Sequence, residues 1–111
     1  MIVGVAAVEL HVHASQSLKA KRGVVRSISQ RVRNRFNLSV SEVGGQGSWQ
    51  VAVLGIAAVG SEAAVLRRVL ERAVTFIEDL HLAEVTHADI EIIALPYEEA
   101  GLGALDVEPE D

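Results

Sequence analysis

Seven of the ten basic residues of this 111-residue chain fall in one short stretch: Lys19, Lys21, Arg22, Arg26, Arg31, Arg33 and Arg35. No acid lies between Glu9 and Glu42. Cations at this density, without acids at helical i,i+4 spacing to neutralise them, suit a phosphate backbone. Such contacts supply affinity and position, not sequence reading. A solvated helix face, or one paired with acids of another subunit or of the chain's own C-terminus, would use the same residues differently. The candidate nucleic-acid contacts are Lys19, Arg22, Arg26 and Arg33, with Arg31 and Arg35 flanking them.

A second group with chemistry is His11 and His13, which share a strand face with Glu9. If the first and last strands pair, His87 approaches them. Three imidazoles and a carboxylate are ligands for zinc or another divalent ion. Polar residues finishing the edge of a sheet account for the same pattern, so no metal ligand and no cofactor is assigned. No enzyme is expected either. The chain has no cysteine, and no nucleophile–base or acid–base carboxylate pair stands out. Ser15 and Ser17 lie near His13, but Ser17 is better explained as a helix cap. Gly44-Gly45-Gln46-Gly47 lacks the Lys-Ser/Thr of a phosphate-binding loop and precedes a strand. One Trp, one Tyr and two Phe are too few for a base-stacking sheet. Trp49 reads as a hairpin-packing residue, and Phe36 and Phe76 as core.

The elements that carry these residues follow from periodicity. Residues 2–13 alternate and are apolar on both faces through Val8, which predicts a central strand. Ser17 caps a helix over about 18–35, with Leu18, Val25, Ile28, Val32 and Phe36 within an ~80° apolar stripe at 100° per residue. Lys19, Arg22, Arg26 and Arg33 cluster within ~60° clear of that stripe. Lys21 falls inside it, where its stem is expected to snorkel outward. A second strand includes Leu38, Val40 and Val43. After a glycine turn at 44–48, a third runs from Trp49 to Val59. Ser61 is expected to cap a second helix over 62–80, on which Arg67 and Arg68 are spaced to meet Glu71. A final strand over 82–94 places Ile90, Ile92 and Ala94 on one face and Val85, His87 and Ile93 on the other, and Pro96 ends it.

The order β-α-β-β-α-β with right-handed crossovers predicts an α+β, ferredoxin-like sandwich. The strand order is 4-1-3-2, all antiparallel, with two helices on one face. The domain is expected to span 1–95. Residues 98–111 carry six acids and no base, so 96–111 read as an acidic flexible tail. Without residues 98–111 the net charge of −5 becomes +1. An acylphosphatase also uses this fold, but its phosphate-cradling arginine follows the first strand, where this chain has Ala14-Ser15-Gln16. The uncovered sheet face would carry Val3, Val5 and Ala7 with one apolar set from the third strand, a patch that a second copy, a ligand or the segment around Leu95-Pro96-Tyr97 would cover; a homodimer is the favoured expectation. No apolar run approaches the roughly 18 residues of a membrane span. With no signal pattern and no cysteine, a cytoplasmic location is expected.

Three stretches resemble a known family: Ser17-Leu18-Lys19-Ala20-Lys21-Arg22-Gly23-Val24-Val25, Arg31 through Val43 with its Arg33-Asn34-Arg35-Phe36-Asn37, and Trp49-Gln50-Val51-Ala52-Val53-Leu54-Gly55. Met1-Ile2-Val3-Gly4 fits as well. The chain resembles the YlxP-like family of small bacterial proteins, a domain of unknown function, over roughly residues 1–94. The glycine-rich loop before Trp49 departs from the more polar loop expected there, and the acidic tail lies outside the family pattern. The resemblance implies a ferredoxin-like cytosolic protein. Its relatives' genes often neighbour those of a translation initiation factor and a ribosome-binding factor, which implies structured RNA or a ribosomal particle as partner. It brings no catalytic residue.

Overall fold

Period-2 and period-3.6 apolar patterns alternate along the chain, and each becomes an element of the expected type. The computed structural model describes residues 1–97. They form β1 (Ile2–His11), α1 (Leu18–Arg35), β2 (Ser39–Gly44), β3 (Val51–Gly60), α2 (Ala63–Leu80) and β4 (Glu84–Ala94). The four strands make one sheet of order β2-β3-β1-β4, every neighbouring pair antiparallel. This is the α+β, ferredoxin-like layout expected from the sequence. The acidic segment 98–111 lies outside the described residues.

One sheet face and the two helices enclose the core. Ala6, Val8 and Leu10 of β1 and Ala52, Leu54 and Ile56 of β3 meet Val25, Ile28 and Val32 of α1 and Leu70, Ala73 and Ile77 of α2. Most are fully buried, and each large side chain removed from water in this way contributes roughly 1.5–3 kcal/mol. Phe36 and Phe76 sit at the margin of this core and not within it. They are half-buried and meet edge to face, with ring centroids 5.6 Å apart.

The helix ends are fixed differently. Ser17 caps α1 as expected, its hydroxyl accepting from the Ala20 amide at 3.0 Å. For α2 the cap position is Glu62 and not Ser61, and its side chain makes no capping bond. His81 closes α2 in the left-handed region at φ 54°. Trp49 lies outside β3, which starts at Val51, and its side chain is 59% exposed. It does not pack the hairpin as the sequence suggested.

Two register shifts separate the observed sheet from perfect alternation. Between β2 and β3, Glu42 pairs with Leu54 but Gly44 with Val53, so Val43 is extra. Between β1 and β4, Glu9 pairs with His87 but Leu10 with Val85, so Thr86 is extra. A bulge moves every residue beyond it to the other sheet face. Val85 therefore packs against the core beside Ile90 and Ile92, and not beside His87 as simple alternation predicts. Thr86 itself donates a hydrogen bond to the Glu9 carboxylate at 2.9 Å.

Candidate functional site

Plain alternation in β2 puts Glu42 on the same face as the buried Val40. Glu42 lies opposite the core residue Leu54 and so faces α1. Lys21 does not snorkel outward. It is 1% exposed, and its ammonium donates to the carbonyls of Gly45 at 2.6 Å and Val51 at 3.0 Å, with the Glu42 carboxylate at 3.7 Å. Lys21 thus closes the β2–β3 hairpin over the first turn of α1. Gly45, with φ +77°, allows the loop to fold back there, and a Cβ at this position would lie 2.5 Å from the Val51 carbonyl.

Lys21 takes up Glu42, the first acid after Glu9. The other six cations, Lys19, Arg22, Arg26, Arg31, Arg33 and Arg35, are all exposed. Among the described residues, none of the six forms a salt bridge. They divide between two flanks of α1. The Arg33 guanidinium donates to the Val40 carbonyl at 2.7 Å, which ties the Lys19-Arg22-Arg26-Arg33 row to the β2 side. Arg35 turns the other way, 5.8 Å from the centroids of both Phe36 and Phe76, towards α2. Arg31 is held by the Ser27 hydroxyl at 3.2 Å.

From Lys19 to Arg33 the helix advances about 21 Å, long enough to span several successive phosphates of a nucleic-acid strand. The second flank is extended by residues that sequence reasoning missed. Arg68 and Arg72 of α2 line an open groove with Arg35, Phe36, Glu71 and Asp79. The sequence reading paired Arg67 and Arg68 with Glu71, but no such salt bridge occurs among the described residues. The i,i+4 spacing of Arg68 and Arg72 was the available signal that both face the same side.

The opposite sheet face carries no described helix. Val3 pairs with Val59, and Val5 with Ala57. Val59 is 66% exposed, and Val43 and Ile93 also present apolar surface to solvent. No helix is long and apolar enough to cross a membrane among the described residues.

Residues 3–90 match the family described as Protein of unknown function (DUF503). The chain belongs to that family. A relative, the "Uncharacterized protein YlxP" of Bacillus subtilis strain 168, is 40% identical over 85 residues, which cover 77% of this chain and 92% of the relative. Two solved structures share the fold. The de novo designed protein Foldit4 has a TM-score of 0.51 at 15% identity, covering 86% of this chain and 100% of its own. A structural-genomics protein, YJCS, has a TM-score of 0.50 at 11% identity, covering 80% and 96%. Membership in DUF503 supports the resemblance read from the sequence and assigns no activity to the cationic face.

Proposed function

We propose that this DUF503 protein is a non-enzymatic accessory factor that docks on structured RNA, free or within a ribosomal particle, through the cationic face of α1. The observation that carries this reading is the separation of Lys21 from its six neighbours. The carboxylate nearest the basic segment in sequence is spent on a buried structural lysine, and among the described residues the exposed cations form no salt bridge. Arg33 and Arg35 are already held in place by Val40 and the two phenylalanines, so less side-chain freedom is lost when they meet phosphate. The scarcity of aromatics on the sheet favours backbone contact over base stacking. A nitrogen–proton correlation titration of the full chain with a stem-loop RNA tests the location. Shifts are expected along α1, from Lys19 to Arg35. Shifts confined to β1 and β3 would reject the assignment.

A second reading, compatible with the first, rests on the exposed apolar sheet face around Val3, Val5 and Val59. Covering it with a second copy would remove that surface from water and place two cationic helices on one particle. Sedimentation equilibrium over a range of concentrations is expected to give a dimer mass, and a monomer throughout would remove this reading.

A further inference from the structure

The Thr86 bulge has a chemical consequence at the far end of β1. An unbroken register would set Val85 opposite His11. The observed register sets Glu84 there instead. His13, two residues beyond, meets the same carboxylate, with Nε2 2.6 Å from Glu84 Oε1. The His11 and His13 rings are stacked, centroids 4.0 Å apart and planes 28° apart. One ligand atom from each of His11, His13 and Glu84 lies within 4.8 Å of the other two. The sequence had suggested Glu9 and His87 as partners of the histidine pair. Neither is in this group: Glu9 accepts from Thr86, and His87 contacts Asp89 at 3.0 Å.

We propose that His11, His13 and Glu84, brought together by the bulge in the β1–β4 ladder, form a binding site for a divalent cation of the zinc class. Two imidazole nitrogens and one carboxylate oxygen are the donor set that such an ion takes, at about 2.0–2.2 Å from each atom. Ligand atoms around a tetrahedral ion at these bond lengths lie roughly 3.3 Å apart. The described atoms reach that spacing by small rotations of surface side chains. His13 and Glu84 are now linked as a hydrogen-bonded pair, and the ion takes the place of the proton between them. Gln50 braces the backbone beneath, its amide donating to the carbonyls of His13 at 3.3 Å and Ser15 at 3.4 Å. The three residues line an open cleft with Glu78 and His81, which leaves water access to the remaining coordination position. A three-residue site with one open position is the arrangement of exchangeable or reactive zinc and not of a closed structural site. The site is independent of the RNA reading, since none of its residues belongs to the cationic face.

Calorimetric titration of the full, untagged chain with zinc chloride tests the proposal. One equivalent is expected to bind. His13→Ala and Glu84→Gln are each expected to weaken binding at least about tenfold, the smallest loss commonly seen even for residues that only support a metal ligand. His87→Ala is expected to leave affinity unchanged. All three side chains are exposed, and unfolding curves recorded without zinc verify that the variants fold. Absence of stoichiometric binding overturns the site. So does binding that survives both His13→Ala and Glu84→Gln, or that is lost with His87→Ala.

Discussion

Replacing Lys21 by alanine is expected to lower the unfolding free energy by about 3 kcal/mol or more, the usual result of removing one partner of a buried charge pair. For a domain of this size that corresponds to a drop of at least about 12 °C in melting temperature. The cause is the number of groups that lose their partner at once. The Gly45 and Val51 carbonyls lose a charged donor. Glu42, one of whose carboxylate oxygens is buried without a hydrogen bond, loses its counter-charge. Lys21→Met keeps most of the buried stem and is expected to lose stability too, because the orphaned acceptors remain. Adding Glu42→Gln to Lys21→Met should recover part of the loss by removing the unpaired charge. Urea unfolding followed by circular dichroism reads all three, and a loss below about 1 kcal/mol for Lys21→Ala would show that the contact is not structural.

The second large effect concerns the face that Lys21 leaves free. Arg22→Glu combined with Arg26→Glu is expected to weaken binding to a stem-loop RNA at least about 30-fold at low salt, since each site loses an attraction and gains a repulsion of similar size. Neither arginine makes a hydrogen bond or salt bridge among the described residues, so the unfolding curve should stay near that of the parent chain. The loss should be alike on RNAs of unrelated sequence, because phosphate contacts carry no sequence information. Fluorescence anisotropy measures both points. Undiminished affinity would remove the α1 face from the interaction.

The order of elements and the strand order were legible in the sequence because the two periodicities differ sharply: β1 alternates through Val8, and α1 repeats Val25, Ile28 and Val32. The exposed cations were legible for the same reason, since helical angle alone excludes them from the apolar stripe. What periodicity does not carry is the position of a bulge. Val43 and Thr86 look like ordinary strand residues, yet each moves its successors to the other face. The facing of Val85 and the choice of Glu84 over His87 both follow from Thr86, whereas the burial of Lys21 depends on the Gly45 and Val51 carbonyls that the hairpin loop folds over it. Trp49 escaped for another reason. Its size favours burial in general, but the strand that would have packed it begins two residues later. Arg68 and Arg72 became part of a cationic groove only through the approach of α2 to Arg35, a tertiary fact.

The salt dependence of RNA binding by the full chain tests the central claim most directly, because counterion release counts the phosphates that the protein neutralises. With the four cations of the Lys19–Arg33 row engaged on RNA phosphates, the logarithm of the association constant should fall against the logarithm of salt concentration with a slope of about −3 to −4. A slope near zero, or no binding at low salt, would contradict the account.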